Sequence, residues 1–150
     1  MIKALRRFAS LSSIDRGLIA EAAVLLTLAW VCLRMFRFPA VRRVMGSTGF
    51  FLPRTNRLAS STGVIVPVGW AITAIARRLP PLDNCLVRAL AADAMLRRRG
   101  LDSEIRFGVR ARGDGNKPLE AHAWVESGDD IVIGAIETLP DFATFSPLIR

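Results

Sequence analysis

The chain is short of the residues from which much protein chemistry is built. Among 150 residues it has one histidine, His122, and two cysteines, Cys32 and Cys85. One imidazole and two distant thiols cannot make a tetrahedral ligand set, so no metal is expected, and nothing points to another cofactor. Two cysteines make no disulfide framework either. Cys32 lies in an apolar helical run and Cys85 beside a helix start, so the expected state is reduced and the expected compartment cytoplasmic. The N-terminal region also lacks a long uncharged run: its longest, Ala22 to Leu33, is bounded by Glu21 and Arg34. Crossing a bilayer takes roughly 20 apolar residues, so this stretch reads as a buried or interfacial helix. A secretory signal fits poorly. Asp15 and Glu21 interrupt the basic start of Lys3, Arg6 and Arg7, and Cys-Leu-Arg-Met-Phe follows where small residues should mark a cleavage site. There is no internal repeat and no low-complexity segment.

Hydrophobic residues make up 51% of the chain, ample for one folded core and incompatible with disorder. The net charge of +8 is unevenly placed: residues 1–57 hold ten Lys/Arg against two acids, Asp15 and Glu21, whereas residues 58–150 balance at eleven against eleven. Two parts are therefore expected, a basic helical N-terminal docking segment over 1–57 and a self-contained domain over 58–150. The basic residues are scattered among apolar ones and not interleaved with aromatics, which argues against nucleic-acid binding.

Along the chain, Ser13 reads as the N-cap of a helix over about 14–36, followed by a short basic helix near 41–45 and a connector rich in Gly and Pro. Leu58–Thr62 reads as a linker, and a second apolar helix runs from Val64 to Leu79, stopped by Pro80-Pro81. Asp83 and Asn84 are N-cap types before Cys85, and Gly100 is a natural C′ residue, so a third helix spans about 85–99. Its buried face is Val87, Leu90, Ala91, Ala94 and Met95, and Arg97, Arg98 and Arg99 read as plain charge complementing the helix dipole. Alternation then predicts strands over 103–111, 120–126 and 131–137, separated by a Gly-rich loop at 112–118 and a turn at 127–130. The expected fold class is α+β, a cysteine-bearing helix packed on a small antiparallel sheet with a helical segment in front.

At the first turn of a helix, free N–H groups and the positive dipole end favour a thiolate, the form of cysteine that attacks carbonyls. A helix-strand-strand order between Cys85 and His122 can bring thiol and imidazole into reach. The blocks NCLVRALAADAMLRRRG, SEIRFGV and EAHAWVE, in this order, closely resemble the leader peptidase of lasso-peptide biosynthesis, a transglutaminase-like cysteine protease with a papain-like core. The resemblance in the catalytic half covers about 79–137, and the N-terminal opening looks like that family's stand-alone form.

The resemblance implies that Cys85 is the nucleophile and His122 the general base and acid. Cys85 would attack the carbonyl at the leader–core junction of a ribosomal precursor peptide, with the Cys85 backbone N–H as oxyanion donor. It also implies two protein partners, a small leader-recognition protein and an ATP-dependent, asparagine-synthetase-like macrolactam cyclase.

The family places an Asp opposite the histidine. Here a hairpin centred on Gly128 puts Gly134 there, or Ala135 half a step later. Asp129 and Asp130, at the turn, are about 20 Å of strand away from His122. Glu137 is the expected third member, reaching diagonally, and a backbone carbonyl or water could orient the imidazole instead. Trp30, Trp70 and Trp124 read as packing residues, although Trp124, on the histidine strand, could also line a peptide groove. Two other readings stay open: acyl transfer to an amine, and a non-catalytic module that only holds a precursor. The segment 1–57 is expected to dock the recognition protein or a membrane surface.

Overall fold

The structure, a computed structural model, describes residues 12–46, 61–111 and 119–145. Within them four α-helices precede and cover a four-stranded sheet: α1 (Ser13–Met35), α2 (Phe38–Gly46), α3 (Ser61–Ala76), α4 (Cys85–Arg97), β1 (Glu104–Ala111), β2 (Leu119–Ser127), β3 (Asp130–Ile133) and β4 (Ala143–Phe145). All pairings are antiparallel, in the order β3-β2-β1-β4. The first three strands form the expected meander. The fourth was not expected, because Ala143–Phe145 is too short for alternation to register. The Gly-rich loop 112–118 and the connector over 47–57 lie outside the described residues.

Several boundaries differ from expectation for local reasons. The cap of α1 is Ser12, not Ser13: its hydroxyl accepts from the Asp15 N–H at 3.1 Å and donates to the Asp15 carboxylate at 2.8 Å, so the residue three positions on selects the cap. Helix α3 begins at Ser61, inside the expected linker, and ends at Ala76. It tightens early because Leu79 N–H and Arg78 N–H bond carbonyls three residues back, winding the chain into a 3₁₀ turn at Pro80–Leu82. At the end of α4, Leu101 N–H reaches Leu96 O at 3.1 Å and Gly100 N–H reaches Arg97 O at 3.0 Å, with Gly100 at φ 76°. That is a Schellman closure, for which the left-handed residue favours glycine.

Helix α4 is the centre of the molecule. It packs against α1, α2, α3 and the sheet, so burial extends all round it: besides the expected face, Ala89, Ala92, Asp93 and Leu96 are also buried. Its alanines let neighbouring elements approach closely. Buried Asp93 is satisfied by Arg97 Nε at 2.8 Å and Ser103 Oγ at 2.7 Å.

The described part of the N-terminal segment belongs to this same core, contrary to its expected role as an appended arm. Leu18, Ala22, Leu25, Leu26 and Ala29 of α1, with Val41 and Met45 of α2, share the core with α3, α4 and the sheet. Arg98 and Arg99 are likewise more than terminal charge. Arg98 Nη1 meets Glu21 Oε1 and Arg99 Nη2 meets Glu21 Oε2, both at 2.6 Å, with all three side chains largely buried. One of the two acids of the basic half thus clamps α1 to the end of α4.

Candidate active site

Cys85 is the first residue of α4, as expected, because Asn84 caps it: Asn84 Oδ1 accepts the Leu86 N–H at 2.9 Å. The cap satisfies Leu86 and leaves the Cys85 N–H with no partner among the described residues. An N–H in that position is available to a developing oxyanion. The Cys85 side chain is half-buried against the core and is a free thiol, as is Cys32 in α1. Arg88, one turn on, pairs with Asp83 at 3.1 Å and ties the turn before the helix to its first turn.

Helix α4 packs directly on β2, the strand that carries the histidine. Pleating sends Ala123 and Val125 into the helical core and leaves His122, Trp124 and Glu126 on the other side of β2. There a second, smaller aromatic layer forms. The His122 ring stacks on Trp124 at 6.2 Å and tilts against Phe142 at 5.8 Å, and Arg110 lies over Phe142 at 4.9 Å. Gly108 pairs with His122 across the ladder. A Cβ there would stand 2.8 Å from Phe142 Cβ and 3.1 Å from the Trp124 ring, so the layer requires glycine.

His122 Nε2 lies 2.8 Å from the Gly134 carbonyl oxygen. A carbonyl can only accept, so Nε2 carries a proton, and in the neutral ring Nδ1 presents its lone pair. Gly134 thus meets the imidazole with its backbone at the position where the resemblance implies an Asp, as the hairpin centred on Gly128 allowed. Glu137 does not fill it. Strand β3 ends at Ile133 instead of running to Glu137, because a bulge at Val125/Glu126 shifts the register and Gly134, at φ 89°, turns the chain away. Glu137 is left exposed in the turn that follows. Trp124 is 2% exposed, which suits its reading as a packing residue and not a groove wall, and it lies as the floor beneath the imidazole.

Phe142 escaped the sequence reading, since nothing in its local pattern links it to His122. Gly108 was the available signal: a glycine in the middle of a strand marks a close approach. The thiol and the imidazole are not hydrogen-bonded to each other in this structure. Among the described residues no cluster of three or more His, Cys, Asp or Glu is placed to hold a metal ion.

The rim of the aromatic layer is charged. Trp124 Nε1 donates to Glu126 Oε1 at 2.8 Å and Arg106 Nε donates to Glu126 Oε2 at 2.9 Å. Partial burial opposes ionisation of Glu126, but these two donors and the Arg106 charge outweigh it and hold the carboxyl below its ordinary range.

Gly134→Ala should cripple this arrangement. Its Cβ would fall 2.7 Å from Trp124 Cβ and 2.9 Å from the Ala123 carbonyl, at a φ that L-residues rarely adopt. The expected result is a loss of at least about tenfold in turnover, with the Cys85 thiol still open to alkylation. Turnover and alkylation measured on the same preparation check it.

No curated protein and no solved structure matches the chain. The family model of the Transglutaminase-like superfamily matches residues 24–147, starting within α1 and including Cys85, His122 and Gly134. The helix-capped cysteine, the strand-borne histidine and this match agree: the chain belongs to the transglutaminase-like superfamily, whose members include cysteine peptidases and acyltransferases.

Proposed function

We propose that the chain is a cysteine peptidase that removes the leader from a ribosomally made lasso-peptide precursor. The observation that carries the proposal is the bond from His122 Nε2 to the Gly134 carbonyl. It fixes the tautomer in which Nδ1 is a base, the form needed to take a proton from a thiol. The lasso assignment rests on the resemblance of the Cys-Leu-Val-Arg-Ala-Leu and Ala-His-Ala-Trp-Val-Glu blocks to the leader peptidases.

In this reading Nδ1 takes the Cys85 proton and the thiolate attacks the carbonyl at the leader–core junction. The Cys85 N–H receives the oxyanion. The C–N bond breaks as the imidazolium protonates the departing amine, leaving the leader as a thioester. Water, deprotonated by His122, then hydrolyses that thioester and frees the thiol. His122 lies on the side of β2 away from the core that Cys85 packs against, so this reading requires the thiol and the imidazole to be brought together when substrate binds. A small leader-recognition protein presents the precursor, and an ATP-dependent, asparagine-synthetase-like cyclase closes the ring afterwards.

Product analysis tests the reaction class. Incubating a lasso precursor, its recognition protein and this chain should give a leader with a free carboxylate and a core with a free α-amine. An amide joining the leader to an added amine would mean acyl transfer.

A further inference from the structure

Helix α1 is long and apolar enough by composition to cross a membrane. A helix that is hydrophobic all round needs both faces covered, and the fold covers one. Leu18, Ala22, Leu25, Leu26 and Ala29 face the core. The opposite stripe of Gly17, Ala20, Val24, Thr27 and Val31 is exposed, with Val24 at 55% and Val31 at 40%. No acid interrupts this stripe. Asp15 is engaged by Ser12, and Glu21 is turned inward onto Arg98 and Arg99.

Cations stand at both ends. Arg16 is exposed in the first turn, and Arg34, Arg37 and Arg43 are exposed at and beyond the last. Arg34 lies 4.7 Å over the Trp30 ring, an amphipathic pair suited to a headgroup boundary. Met35 and Phe36 are exposed beside it. An apolar stripe framed by arginines complements an anionic lipid surface, where the side chains enter the acyl boundary and the guanidiniums meet phosphates. The inward clamp from Glu21 to α4 keeps the helix in the fold, which suits lying along a bilayer and not crossing it.

We infer that the outer face of α1 docks the protein peripherally on an anionic membrane, a surface separate from the chemistry of Cys85 and His122.

Sedimentation of the full chain with liposomes tests this. It should pellet with phosphatidylcholine vesicles containing phosphatidylglycerol, stay in the supernatant with phosphatidylcholine alone, and be released by high salt. The double variant Val24→Glu, Val31→Glu should partition at least about tenfold more weakly with an unchanged melting temperature, since both sites are exposed. Failure to pellet with anionic vesicles, or equal pelleting of wild type and double variant, overturns the inference. So does a variant that changes only the oligomeric state in lipid-free buffer, which would make the stripe a protein interface. Precursor cleavage without vesicles is expected to be the same for both proteins, so this result stands apart from the proposed peptidase activity.

Discussion

Cys85→Ala is expected to abolish precursor processing, with a fall of about a thousandfold or more, while Cys32→Ala leaves it within a factor of about two. The contrast follows from placement. Cys85 stands at a capped helix start with its own N–H unpaired among the described residues, and Cys32 sits in the last turn of α1, where its carbonyl accepts the Phe36 N–H at 2.7 Å. The first position exposes the thiol to a helix's positive end and the second to its negative end. Only the first suits a thiolate. Cleavage rates for both variants, measured with the same precursor and recognition protein, check the contrast. Full processing by Cys85→Ala would mean that Cys85 is not the nucleophile.

Glu21→Ala should be the most destabilising single change away from the candidate site. Glu21 neutralises two arginines whose guanidiniums it meets at 2.6 Å, and all three groups are largely withdrawn from water. Removing the carboxylate leaves that positive charge uncompensated, which costs about 3–5 kcal/mol. For a domain of this size that amounts to a drop in melting temperature on the order of 10 °C. Thermal denaturation of Glu21→Ala beside wild type measures it. Glu21→Asp should recover part of the loss, because the charge remains on a shorter arm. A variant as stable as wild type would show that α1 is not clamped to α4.

The clamp also explains how a basic arm was expected where the structure has a core helix. Charge counted by segment separates Glu21 from Arg98 and Arg99, which are 77 and 78 residues away in sequence, and no local pattern joins them. The apolar face of α1 was legible; its partner was not. The same distinction runs through the site. Cys85, its cap and the helix C-terminus at Gly100 are local signals, and each is where the sequence places it. His122 was legible from its strand and from the block around it.

The group that orients His122 was only half legible. Hairpin counting could put Gly134 opposite the histidine, yet a side chain was sought at that position, and Glu137 was favoured because an unbroken β3 would have carried it within reach. The bulge at Val125/Glu126 and the turn at Gly134 ended the strand first. A glycine has nothing to offer but its backbone, and its carbonyl is the group that bonds the imidazole.

The central claim is that the scissile carbonyl becomes bonded to Cys85 Sγ. Rapid acid quenching of wild-type protein mixed with precursor and recognition protein, followed by intact-mass measurement and peptide mapping, reads that bond directly. The account predicts a transient mass gain equal to the leader acyl group, located on Cys85, discharged by hydroxylamine and absent from Cys85→Ala. A leader adduct on Cys32, or cleaved product from Cys85→Ala at the wild-type rate, would contradict it.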